Sequence, residues 1–141
     1  MSQLFEFFGN HPILTLALVA ILVMLVGSEI QRRLRSIQDV GPMEAIRLLN
    51  QQNALFIDTR TEGEYKEGHI VDALHIPLGD LERRADELNK YKARPLIAYC
   101  RSGHRSASAG GKLKKLGFET VYNLGGGIMA WQSANLPVTR K

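Results

Sequence analysis

The sequence predicts an α/β fold: a parallel sheet with helices on both faces, preceded by one transmembrane helix. Three observations carry this reading. From Ile37 onward, short apolar runs alternate with longer segments whose apolar residues recur at helical spacing, the pattern of strands joined by crossover helices. Two of the short runs, "ALFID" and "PLIAYC", end in reactive groups, Asp58 and Cys100. In sheets of this kind ligands bind at the carboxyl ends of strands. Finally, residues 7–28 contain no Asp, Glu, Lys or Arg.

That uncharged run comes first in the chain. At a rise of about 1.5 Å per residue it covers roughly 33 Å, enough for a hydrocarbon core of about 30 Å. Asn10 or His11 can cap the helix, and Pro12 falls in its first turn, where a missing N–H costs little. A cleaved signal peptide fits poorly, because no Lys or Arg precedes the run and no small-x-small site follows Val26. A buried core helix fits poorly too, because the segment is apolar on every face. Arg32, Arg33 and Arg35 follow directly, and nothing basic comes before. Positive flanks stay in the cytoplasm. The expected topology is a single pass through the inner (cytoplasmic) membrane, with the N-terminus outside and the rest of the chain in the cytoplasm. Leu4 to Phe8, "LFEFF", would sit at the outer interface. The domain plan is an anchor at residues 1–30, a basic juxtamembrane linker at 31–36 and one α/β domain at 37–141.

Within that domain "IQDV" is a short candidate strand, and "PMEAIRLLNQ" a helix opened by Pro42. "ALFID" reads as a buried parallel strand. "ALHIP" is another candidate, stopped by Pro77. "LGDLERRADELNKY" places Leu78, Leu81, Ala85 and Leu88 on one stripe and predicts a helix. "PLIAYC" is a strand, and "SASAGGKLKKLG" a helix closed by Gly117. "ETVYNL" is a strand, and "GGIMAWQSANL" the last helix.

Charge and cysteine content narrow the function. All 18 Lys and Arg lie after Gln31, whereas the first thirty residues hold only Glu6 and Glu29 of the 14 acids. The domain is therefore moderately basic, which suits anionic small molecules or an anionic membrane surface. Its basic residues are interleaved with acids and have few aromatic neighbours, which argues against nucleic acid. One cysteine excludes an internal disulfide framework and a Cys-rich metal site, and a lone thiol is compatible with a reducing compartment.

That cysteine sits in "YCRSGHRSASA", where a strand turns into a helix. The helix following it points free N–H groups back toward the loop. Gly103 permits a backbone conformation that lets successive N–H groups converge. Arg101 and Arg105 add positive charge. All of these favour a thiolate, or an anionic group attached to the sulfur. The plainer alternative is a buried structural cysteine, which would not need such a setting.

Four segments, in order, resemble the rhodanese family of single-domain sulfurtransferases: "FIDTR", "EYKEGHIVDALHIP", "YCRSGHRS" and "LGGGIMAW". The resemblance spans roughly residues 37–137. It implies a sheet of about five parallel strands and a catalytic cysteine that accepts a sulfane sulfur as a persulfide. Cys100 matches the sulfur carrier. Arg101, Ser102, Gly103, His104 and Arg105 match the remainder of the six-residue loop whose amides surround the persulfide. Asp58 and Arg60 match a D-x-R element near the site, where the arginine can meet an anionic donor; a structural salt bridge is its alternative role. His69, in "GHI", reads as structural. Phosphatases of the same fold need a longer loop, with arginine six positions after the cysteine. Here position 106 is serine and the arginine is Arg105, a tighter ring suited to sulfur rather than to a tetrahedral oxyanion.

The implied activity is two-step nucleophilic catalysis without metal or organic cofactor. An anionic donor such as thiosulfate supplies the sulfur, and a thiophilic acceptor, cyanide in an assay or a protein thiol in the cell, removes it. The competing reading is a tethered docking module for membrane-protein partners, with residual or no catalysis.

Overall fold

The structure is a computed structural model and describes residues 9–35 and 37–141. Leu4 to Phe8 and the side chains of Arg32, Arg33 and Arg35 lie outside the described residues. The chain divides into two units between residues 36 and 37.

The first unit is a helix, α1 (Pro12–Arg35). Its segment Pro12–Ile30 has a mean hydropathy of 2.5, and none of it is buried. Ile13, Leu16, Val23 and Met24 are among the large apolar side chains left exposed. No single face of α1 is reserved for a protein core. The helix runs on through residues 31–35, so the segment expected as a linker continues the same rod.

The second unit runs β1 (Gln38–Val40), α2 (Pro42–Gln52), β2 (Leu55–Asp58), α3 (Glu62–Glu67), β3 (His69–Ile70) and β4 (Leu74–His75). A short α-turn follows, α4 (Leu81–Arg84), with 3-10 turns on both sides at Leu78–Asp80 and Ala85–Tyr91. Then come β5 (Leu96–Tyr99), α5 (His104–Lys115), β6 (Val121–Leu124), α6 (Gly127–Ser133) and β7 (Val138–Thr139). Five strands form one parallel sheet in the order β1-β6-β5-β2-β4.

The central strands β2 and β5 are buried at every position, so they read as unbroken apolar runs. Alternate residues feed two cores. Phe56, Ile97 and Tyr99 pack with Leu48, Ile128 and Trp131 on one face. Leu55, Ile57 and Leu96 pack with Leu81, Leu88 and Leu113 on the other. Register aligns Asp58 with Tyr99 and Ala98 with Asn123. The carboxyl ends of β2, β5 and β6 therefore meet along one edge, with Cys100 next in the chain.

Two local readings change. The segment expected as one helix from Leu78 is α4 between two 3-10 turns. Its buried Leu81, Ala85 and Leu88 and half-buried Leu78 and Tyr91 are spaced by three, four, three and three residues, and the run of threes over Ala85, Leu88 and Tyr91 suits three residues per turn. Helix α5 begins at His104, so the last two residues of the thiol loop form its first turn. An antiparallel pair, β3 with β7, is an addition.

Candidate active site

Cys100 follows β5 and enters α5 through Arg101, Ser102 and Gly103. The thiol is 1 % exposed. The Gly103 N–H donates to Cys100 Sγ at 3.1 Å. The Ser106 hydroxyl has one proton to share between Sγ at 3.4 Å and Asn123 Oδ1 at 2.5 Å. The shorter bond takes most of it, which leaves the amides as the steady donors. Burial pushes the thiol up, but the Ser106 hydroxyl and the N–H groups of Ser106, Gly103 and Ser102 outweigh it, so the thiol lies below its ordinary pKa.

The ring is held from below and behind. Gly103 has φ +103, and a Cβ there would also press on the Gly126 N and Leu124 O at 3.4 Å. Asn123 Nδ2 donates to Gly103 O at 3.1 Å and to Asp39 Oδ1 at 2.9 Å. The start of α6 then caps the loop: Ile128 N–H donates to Cys100 O at 2.8 Å and Met129 N–H to Arg101 O at 3.2 Å. This approach requires Gly127, which has φ +58 and whose Cβ would collide with both of those carbonyls.

The arginines differ in their commitments. Arg60 is 5 % exposed and grips Asp58 at 2.6 Å and Gly68 O at 2.7 Å. Burial lowers its affinity for the proton, but the hydrogen bond and charge of Asp58 more than restore it. Arg105 makes a two-pronged pair with Glu64, Nη1 to Oε2 at 2.8 Å and Nη2 to Oε1 at 2.7 Å. Among the described residues the Arg101 side chain makes no ion pair or hydrogen bond. Arg101, Ser102 and His104 are exposed. A cleft of about 350 Å³ opens beside the loop, lined by Arg60, Glu64, Glu67, Gly68, Arg101, Ile128, Met129 and Gln132. A larger one of about 540 Å³ over Tyr65, His75 and Arg84 includes no loop residue, so the chemistry favours the smaller. His69 is buried, with Nδ1 2.9 Å from Tyr65 O and its ring stacked on Tyr65 at 3.7 Å. These contacts are structural in kind.

Glu64, Asn123 and Gly127 are site residues that the sequence reading did not single out. Glu64 did carry a signal. Thr61 and Glu64 form a capping box at the start of α3, and "TEGE" has the T-x-x-E spacing of one.

In comparison with known families, the rhodanese-like domain matches residues 42–134. The chain belongs to the rhodanese family. It is similar to the uncharacterized protein YibN of Escherichia coli strain K12, at 30% identity over 141 residues and 99% of both chains. A sulfurtransferase of Allochromatium vinosum is 40% identical over 92 residues, 65% of this chain and 84% of that one. A crystal structure of a rhodanese-related protein from Thermoplasma volcanium superposes with a TM-score of 0.67, covering 74% of this chain and 99% of that one. At 23% identity this last likeness shows the fold alone. The rhodanese family, with sulfurtransferases among this chain's relatives, suggests sulfurtransferase activity, which in general uses a sulfur donor and a thiol acceptor.

Proposed function

We propose that the protein is a membrane-anchored sulfurtransferase in which Cys100 carries a sulfane sulfur as a persulfide. One observation carries the reading: the only thiol of the chain is ringed by loop amides, with Gly103 N–H 3.1 Å from Sγ. In the first step the Cys100 thiolate attacks the outer sulfur of thiosulfate. The S–S bond of the donor breaks, and its electron pair leaves on sulfite. The amide ring holds the persulfide of Cys100. In the second step an acceptor nucleophile, a protein thiol or cyanide, bonds to the outer sulfur, and the electron pair of the breaking bond returns to Sγ.

Of the three arginines lining the loop and cleft, Arg101 is the one open to a donor anion. Arg101→Gln should raise the thiosulfate KM about five- to tenfold, the loss of one charge-assisted contact of about 1–1.4 kcal/mol, with kcat nearly unchanged. An unchanged KM in steady-state assays would remove Arg101 from donor binding. Arg60, tied to Asp58, serves in this reading to hold the end of β2 in place.

The test of the whole reading is intact mass after incubation with thiosulfate. A gain of about one sulfur atom (~32 Da) on the peptide containing Cys100, lost on adding cyanide, is expected for covalent catalysis. A folded protein that gains nothing overturns it.

The anchor reading rests on the exposed apolar helix and on the arginines that follow it. Residues 1–30 are the anchor in the cytoplasmic membrane, residues 31–36 the basic juxtamembrane stretch, and residues 37–141 work in the cytoplasm. Protease added outside intact cells should leave the domain whole, and should digest it once the membrane is opened. Digestion in intact cells reverses the topology.

A further inference from the structure

Glu64 puts a full negative charge beside a loop that otherwise favours anions. Its carboxylate meets Arg105 through both oxygens, at 2.8 and 2.7 Å. From the other side, the Thr61 N–H and hydroxyl each donate to Oε2 at 3.0 Å. The carboxylate is thus fixed by the cap of α3 at one end and by the loop arginine at the other. A two-pronged pair anchored at both ends keeps its geometry better than an exposed ion pair does. Arg105 is the last residue of the six-residue loop that begins at Cys100, and Glu64 is the partner that holds it. A loop built only to attract anions would leave that guanidinium uncancelled.

We propose that Glu64 is a charge-balancing and positioning residue: it clamps Arg105 against the loop and cancels its charge, so that the cleft holds anions weakly enough to release the spent donor. The proposal rests on the sulfur-carrier reading. After the Cys100 thiolate has taken the outer sulfur of thiosulfate, the leaving sulfite is itself an anion. It must depart before an acceptor can approach. An unbalanced Arg105 would retain it.

The test compares Glu64→Gln, Arg105→Gln, the double variant and Thr61→Ala with the unmodified protein. Glutamine keeps the size of the side chain but turns an amide toward one prong of the guanidinium. Three readouts are taken: the pH at which iodoacetamide alkylation of Cys100 is half-maximal, the thiosulfate KM, and the inhibition constant of sulfite. Glu64→Gln should lower the alkylation midpoint by about half a unit, a threefold shift in the thiolate equilibrium. It should lower the KM and the sulfite constant by a similar factor, about threefold. Arg105→Gln should move all three the other way, and the double variant should return them toward the starting values. Thr61→Ala removes one anchor of the carboxylate without changing charge and should move the alkylation midpoint less than Glu64→Gln does.

A merely structural Glu64 predicts the opposite sign, because a loosened ring moves the thiol up toward its free value. A midpoint that rises or stays put in Glu64→Gln, or that moves equally in Thr61→Ala, overturns the proposal. The alkylation readout needs no sulfur donor. A lowered midpoint in a protein that never takes sulfur from thiosulfate would support the charge balance and overturn the sulfur-carrier reading.

Discussion

Cys100→Ser should abolish sulfur loading while leaving the domain folded, with a loss of turnover of at least about a thousandfold. The hydroxyl fits the same space and can accept from Gly103 N–H, so the loop has no reason to rearrange. A serine hydroxyl is nonetheless almost wholly protonated at neutral pH and cannot carry a persulfide. Cys100 is the only thiol, so no neighbouring cysteine can take over within the chain. The pH dependence follows from the lowered thiol pKa. The thiolate is the reactive form, and its folded-state pKa lies below the ordinary value of a thiol. Alkylation and loading should therefore already be at their plateau where a free thiol is still gaining, and should fall as pH drops through the folded pKa. Thermal melting, peptide mass after thiosulfate and the alkylation profile check this together. Residual turnover in a folded Cys100→Ser protein would mean that the sulfur chemistry lies elsewhere.

Gly127→Ala should be the most damaging substitution outside the thiol. A non-glycine residue at φ +58 is strained by about 1–3 kcal/mol. The added Cβ also meets the carbonyls of Cys100 and Arg101, which have no free space to retreat into because they accept from Ile128 and Met129. For a domain of this size each kcal/mol lowers the melting temperature by roughly 4–8 °C. Because the collision falls on the loop itself, loading should fall by more than the stability loss explains, and the thiol should move back toward its free pKa. Gly125→Ala is the control. Its φ is not in the left-handed region, and its nearest neighbours, Val40 O at 3.6 Å and the Asp39 Cβ at 3.8 Å, are ordinary contacts. A Gly127→Ala protein with unaltered loading and melting would show that the α6 cap does not hold the ring.

The thiol loop was legible in the sequence because its parts are contiguous. Six residues from Cys100 to Arg105 carry the donors, and the φ of Gly103 follows from its place between a strand and a helix. Strands β2 and β5 were legible because burial on both faces leaves unbroken apolar runs. The contact of Glu64 with the thiol loop was not, since its partner Arg105 lies 41 positions away. Asn123 was hidden for the same reason: it is an ordinary polar residue of β6 until the sheet register sets it behind Gly103 and Ser106. The β3–β7 pair is two residues long on each side and shows no periodicity at all. Helix α4 and its 3-10 flanks place apolar residues three and four apart, a spacing that does not separate them from one α-helical stripe.

The loop is closed by residues that come late in the chain. Ile128 and Met129 hold the carbonyls of Cys100 and Arg101, Asn123 holds Gly103 and Ser106, and Asp39 reaches across 84 positions to steady Asn123. A ribosome that has just finished Cys100 has therefore made an ordinary thiol. The contacts that fix the loop around that sulfur are complete only after some thirty more residues have been added and β6 lies between β1 and β5. A chain that ends before β6 therefore carries Cys100 without the partners that hold its loop.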